Sequence, residues 1–195
     1  AIPRQLAAGL PAGALELGAK VESVSAQAVT LAGGTEVRAD AVVVATEGPA
    51  TARLTHGAIP DPGSRSASCY YFAADQAPYE EPILALNGES RGPVNNFAVM
   101  SNVAPGYAPP GAALFSATVL AEPAGQSQEP AVREQLTRWF GAQVNGWKLL
   151  ARYEIAHAQP EQAPPALSPP RRPVRLESGV FLCGDHRENA SVNGA

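Results

Sequence analysis

The stretch Gly179-Val-Phe-Leu-Cys-Gly-Asp-His-Arg-Glu-Asn-Ala-Ser-Val-Asn-Gly-Ala195 decides how this chain is read. A short apolar run, Val180 to Cys183, ends in Gly184-Asp185. A polar loop follows, and Ser191-Val-Asn-Gly-Ala has the form of a helix opening with Ser191 as its N-cap. A strand that delivers Gly-Asp to a loop ahead of a helix N-terminus can hold a polar, anionic cofactor. The Asp accepts hydroxyl hydrogen bonds, and the free N–H groups of the first helical turn face negative charge. The plain alternative is an ordinary strand–loop–helix junction, since Gly-Asp is common in turns.

Working outward, the other end of the chain carries a matching pattern. Ile2 to Leu10 has apolar residues at helical spacing. Val21–Ser25, Ala28–Leu31 and Glu36–Arg38 read as short alternating strands, with Gly33-Gly34 as the hairpin turn between the last two. Asp40-Ala-Val-Val-Val-Ala-Thr46 is a continuous apolar run of the kind expected of a strand buried on both faces.

Together these segments resemble the flavin-containing amine oxidase superfamily, which includes protoporphyrinogen oxidases and phytoene-desaturase-like enzymes. Gly184, Asp185, Ser191, Gly194 and Ala195 match its carboxy-terminal signature, and Ala39-Asp40-Ala-Val-Val-Val-Ala45 matches its "Ala-Asp-x-Val-Val-x-Ala" strand. The resemblance implies FAD as cofactor. It implies that Asp185 accepts a hydrogen bond from a ribityl hydroxyl, with Gly184 allowing close approach. Ser191, Val192 and Ala195 would bring helix-opening backbone groups under the flavin, Val21 would meet adenine through its backbone, and Ala45-Thr46 would pass near the dinucleotide. For Val21, Ala45 and Thr46 a purely structural role is nearly as strong an expectation.

A dinucleotide fold also needs a Gly-rich turn opening a helix, and no G-x-G-x-x-G occurs in the 195 residues. The expectation is therefore an internal fragment of a longer enzyme, inactive in isolation. Its fold class reads as α+β: the C-terminal part of an FAD-binding, Rossmann-like domain plus an inserted antiparallel-sheet substrate domain. The boundaries read as 1–58 for the adenine-side meander and parallel strand, 59–160 for the substrate domain, and 161–195 for the return.

The middle segment carries that insertion. Pro49 to Ser66, rich in Gly, Pro, Thr and Ser, reads as a crossing between domains. Ala67–Ala73, Pro82–Leu86, Asn95–Met100 and Ala112–Leu120 are strand-length runs punctuated by Asn87-Gly88 and Pro109-Pro-Gly111. Glu129-Pro130 opens a helix to about Phe140, with Val132, Leu136, Trp139 and Phe140 on the face that covers the sheet. Trp147–Ile155 is a further strand; Ala156-His-Ala-Gln-Pro160 follows as the counterpart of the superfamily's Ala-x-Pro-like strand end. A Pro-rich return runs from Pro160 to Pro173.

The chemistry expected is sparse. His56, His157 and His186 form no ligand spacing with one another or with cysteine, and His157 and His186 read as loop or surface residues. No Gly-x-Ser-x-Gly elbow is present, so no catalytic acid, base, nucleophile or metal site is assigned. That fits flavin chemistry, which needs positioning more than a protein nucleophile. Amine oxidases proper often carry an aromatic residue where Ser191 stands, and a Lys near flavin N5. The only lysines here are Lys20 and Lys148. The departure disfavours an amine and favours the desaturase or protoporphyrinogen-oxidase-like branches, whose small-molecule substrates are large and apolar.

Composition adds boundaries. Hydrophobic residues make up 45% and no run reaches membrane-span length. A net charge of −4 gives no electrostatic case for nucleic acid. Cys69 and Cys183 read as free buried thiols, as in a cytoplasmic protein. Strands taken out of a larger sheet would leave apolar edges open, which predicts self-association. Two other readings remain: a non-enzymatic α+β binding module, or an NAD(P)-linked enzyme of similar plan. The flavin reading requires Ala39–Thr46 and Val180–Cys183 to be adjacent parallel strands.

Overall fold

A computed structural model describes residues 2–166, 168–169 and 171–191. The chain forms two compact units, residues 1–63 with 162–195, and residues 64–161.

The first unit begins with α1 (Ile2–Ala8), none of whose residues is buried. Strands β1 (Val21–Val24), β2 (Ala28–Leu31) and β3 (Glu36–Arg38) form an antiparallel meander in the order β1-β2-β3. Its β2–β3 turn rests on Gly33 and Gly34, at φ 95° and 86°, a region that L side chains rarely enter. Next come β4 (Val43–Val44) and α2 (Gly48–Leu54). Helix α2 lies where the Gly/Pro-rich composition suggested an irregular crossing. Pro49 fits the first helical turn, and Gly48, Thr51 and Leu54 turn one face into the core. His56 and Gly57, both left-handed, stop it, and the Gly57 N–H caps the Ala52 carbonyl at 2.9 Å.

The second unit is a five-stranded antiparallel sheet in the order β6-β7-β8-β5-β9. Its strands are β5 (Ser64–Ala74), β6 (Leu84–Leu86), β7 (Val94–Val99), β8 (Ala113–Leu120) and β9 (Lys148–Pro160). The short helix α3 (Met100–Val103) follows β7, and α4 (Glu129–Phe140) follows β8. The Ala156–Pro160 segment is the end of β9 itself. Helix α4 has Glu129 and Pro130 in its first turn, Arg138 in its last, and Gly141 (φ 76°) as its C-cap, each suited to its place. Val132 and Leu136 are fully buried, and Trp139 and Phe140 pack partly exposed at the margin of the same core. Tyr70, Phe72, Phe97, Phe115 and Trp147 fill that core. Burying each such side chain stabilises by about 1.5–3 kcal/mol.

The chain then returns to the first unit as β10 (Phe181–Leu182), which pairs parallel with β4: Phe181 beside Val43 and Leu182 beside Val44. This is the pairing that the flavin reading required. The expected double-sided burial of the Asp40–Thr46 run does not hold. Val42 and Val44 are buried, while Val43 is 60% exposed, because no described element covers that face of the strand pair. The covered face packs Val44, Leu54, Val180 and Leu182, with Val21, Val24, Ile59 and Leu176 at its margin.

Candidate functional site

Parallel pairing brings the carboxyl ends of β4 and β10 to the same side, where ligands of open parallel sheets bind. Two backbone bonds lock the pair there, from the Phe181 N–H to the Val42 carbonyl (2.9 Å) and from the Cys183 N–H to the Val44 carbonyl (3.1 Å). Ala45-Thr46 leaves one strand as Gly184-Asp185 leaves the other. Gly184 sits at φ 146°, and a Cβ there would lie 2.7 Å from His186 Cε1 and 3.3 Å from the Thr46 carbonyl oxygen. Only glycine permits this approach.

The expected site residues take different roles at this turn. The Asp185 side chain is 37% exposed, and the His186 ring lies beside it, with Nδ1 at 3.9 Å. Its oxygens therefore remain able to accept a hydroxyl. The Thr46 hydroxyl is engaged with the Thr51 hydroxyl at 2.9 Å, and the Thr46 carbonyl accepts from Thr51 Oγ1 at 3.2 Å. Thr46 thus ties the β4 end to α2. Ala45 is exposed beside it. Val21 is not at this turn; it sits half-buried at the margin of the underlying core, on the edge strand of the meander. The Ser191 hydroxyl hydrogen-bonds to Asn189 Oδ1. Val192 and Ala195, with the helix that Ser191 would open, lie outside the described residues.

Two further groups escaped the sequence reading. His186, expected in a loop or on the surface, is 1% exposed with no hydrogen bond to either ring nitrogen. The sharp turn at Gly184 swings it inward, against Gly48, where an added Cβ would lie 3.0 Å from Pro62 and 3.6 Å from the His186 Cβ. Burial holds its pKa below the ordinary 6.5; Asp185 and Asp61 pull upward, and Arg187 and Arg172 push down. No spacing in the sequence separates it from its polar neighbours. The second group is a buried network in the second unit. Glu122 has a side chain 1% exposed. It accepts from the Tyr70 hydroxyl, from the Gln128 N–H (2.8 Å) and from Arg152 (2.6 Å). Burial pushes the Glu122 carboxyl up, but bonds from Ser68, Tyr70, Arg152 and Gln128 outweigh it and hold the group below 4.5. Burial also raises Tyr70. Every member is satisfied, so the network anchors the loop ahead of α4 rather than offering a reactive group.

The sheet of the second unit has an open face opposite α4. Two cross-strand rows lie on it: Leu84–Ala98–Ser116–Tyr71–Ala151, and Leu86–Asn96–Thr118–Cys69–Tyr153. None of these ten residues is charged. Tyr71 and Tyr153 meet edge-to-face at 5.8 Å. Cys69 and Cys183 are free and half-buried rather than buried. Among the described residues no three or more His, Cys, Asp or Glu side chains gather as a metal site, and no helix is long and apolar enough to cross a membrane.

These features define a mixed α/β protein with antiparallel sheets and a parallel strand pair presenting a Gly-Asp turn. The chain belongs to the flavin containing amine oxidoreductase family, which it matches over residues 1–195. Among curated proteins none matches the sequence. Solved structures share the fold. An oxidoreductase from Methanosarcina mazei has a TM-score of 0.69 at 18% identity, over 91% of this chain and 46% of that one. A protein assigned as a protoporphyrinogen oxidase from Exiguobacterium sp. 255-15 has a TM-score of 0.68 at 15% identity, over 99% and 47%. Reduced UDP-galactopyranose mutase has a TM-score of 0.66 at 14% identity, over 95% and 45%. The chain therefore spans less than half the length of these structures. Their differing activities show that the fold alone does not select a reaction.

Proposed function

We propose that this chain is part of an FAD-dependent oxidoreductase that takes hydride from a C–N or C–C bond of an apolar organic molecule. FAD, when bound, supplies the hydride acceptor and passes electrons on to a substance such as oxygen. The observation that carries the reading is the parallel β4/β10 pair, which sets Ala45-Thr46 beside Gly184-Asp185. On this reading the first unit is the C-terminal part of a Rossmann-like FAD-binding domain, and the second is the substrate domain.

The residues fit that cofactor. Asp185 accepts a hydroxyl of the ribityl chain, and Gly184 keeps the turn tight enough for backbone approach. Thr46 acts as a buttress to the turn. The two uncharged rows on the open face of the five-stranded sheet suit a neutral substrate, because an apolar molecule there displaces water without stranding a charge. The Gly-rich dinucleotide turn is supplied from outside these residues, so the 195 residues alone do not turn over substrate.

The test is the visible absorption of the purified full-length protein before and after a mild reductant. A flavin spectrum that bleaches supports the reading and justifies trials of polyenes and porphyrinogens. A colourless protein that takes up no added FAD overturns it.

A further inference from the structure

Two cations meet at the turn after β10, Arg187 on it and Arg172 reaching it from the preceding segment, and among the described residues neither has a counter-ion. Arg172 directs Nη1 to the His186 carbonyl (3.1 Å) and Nη2 to the carbonyls of Ala166 (2.8 Å) and Ser168 (3.3 Å). Arg187 donates Nη2 to the Pro173 carbonyl at 3.0 Å, leaving Nε and Nη1 without a described partner. Neither guanidinium enters an ion pair among the described residues. Carbonyl oxygens orient a guanidinium without cancelling its charge. Burial, and after it the neighbouring Arg172 charge, holds Arg187 below its ordinary value.

Both arginines line two pockets, of about 180 Å³ and about 310 Å³. His186 lines the larger, and its two ring nitrogens are buried without a partner. A neutral imidazole offers one donor and one acceptor, so this ring lacks a ligand for both. The acids nearby are few. Asp185 lies 3.9 Å from His186 Nδ1, Asp61 accepts from the Gly63 N–H at 2.9 Å, and the exposed Glu188 borders the smaller pocket. None of them pairs with either arginine.

We propose that the two pockets form one phosphate-binding site, with Arg187 and Arg172 as its cationic walls and the His186 ring as a neutral hydrogen-bonding partner. Two neighbouring cations suit a tetrahedral oxyanion bearing more than one charge, whereas a lone carboxylate needs only one, and the N–H groups not spent on carbonyls remain to donate to it. The phosphate has two sources, the diphosphate of a dinucleotide cofactor or a separate phosphorylated molecule. The site stands whether or not the flavin reading does.

The probe is inorganic pyrophosphate, with sodium chloride at matched ionic strength as reference and thermal unfolding of the full-length protein as readout. A saturable rise in Tm of roughly 5 °C is expected once pyrophosphate exceeds its dissociation constant a hundredfold. Arg187→Gln abolishes the rise, Arg187→Lys restores part of it, and Arg138→Gln, on exposed α4 surface, leaves it intact. Should Arg187→Gln fail to fold, phenylglyoxal labelling of the wild type gives the same answer. Pyrophosphate then protects Arg172 and Arg187 but not Arg138, as read by peptide mass spectrometry. Repeating the titration on FAD-loaded protein separates the sources. A rise that persists points to a separate ligand, and one that vanishes while pyrophosphate displaces flavin points to the cofactor's diphosphate. Equal stabilisation by chloride, an unchanged rise in Arg187→Gln, or unprotected arginines overturns the site.

Discussion

Burial of the His186 ring ties the stability of the first unit to pH. Its folded pKa lies below 6.5, so below that pH the unfolded chain takes up a proton that the folded ring refuses. Stability is therefore unaffected above pH 6.5 and falls as the pH drops from there toward the folded value. Asp185 and Asp61 soften the fall; Arg187 and Arg172 deepen it. Glu122 contributes stability that is full above 4.5 and lost as the pH falls through its depressed folded value. Two acid limbs should thus appear in Tm measured against pH, and His186→Gln should remove the upper one alone. Gly184→Ala should cost about 2–4 kcal/mol in chemical denaturation, since it adds left-handed strain to a collision with the His186 ring. Asp185→Asn should fold normally and weaken FAD roughly 10- to 100-fold, as expected when a charged acceptor becomes a neutral one. Unchanged affinity in a flavin titration would detach Asp185 from the cofactor.

At the scale of elements, the second unit depends on one side chain acting as a strand. Gln135 of α4 accepts from the Val94 N–H at 2.7 Å and donates to the Val94 carbonyl at 3.0 Å, closing the β7 backbone where its register with β8 shifts. Gly92 makes room, as a Cβ there would lie 2.3 Å from Gln135 Oε1. Gln135→Leu keeps the volume but leaves the buried Val94 N–H without a partner, so a loss of about 1–3 kcal/mol is expected in urea denaturation. This contact was illegible in the sequence because it joins residues 41 positions apart through burial. Helix α4 itself was legible, since Pro130 and the Val132/Leu136 spacing carry local signals. So was the β2–β3 hairpin, through Gly33-Gly34. Helix α2 was not, because Gly48-Pro49 reads as a loop until tertiary burial of Thr51 and Leu54 holds the turn in helical form. At the site, Gly184-Asp185 was legible as a motif. The inward course of His186 was not, because the fold of the turn, and not the residue type, decides which neighbour is buried.

At the scale of the whole molecule, the five-stranded sheet leaves apolar surface open: Leu86 is 70% exposed, Tyr153 59% and Ile155 43%. The two edges of the five-stranded sheet differ in consequence. Strand β6 is three residues long, too short to template much pairing, whereas β9 runs for thirteen with one free edge among the described residues. Its charges are partly withdrawn, because Arg152 turns to Glu122 and Glu154 and so does little to repel a second strand. Antiparallel pairing of β9 with its copy would be isologous and would close as a dimer. The isolated chain is therefore expected to elute from size exclusion above its monomer mass, with light scattering showing an increase with concentration. Tyr153→Lys combined with Ile155→Lys, both on exposed positions of β9, should return it to a monomer at the cost of a small fall in Tm from the lost Tyr71–Tyr153 contact. A wild-type chain that stays monomeric at high concentration would show that this edge does not pair.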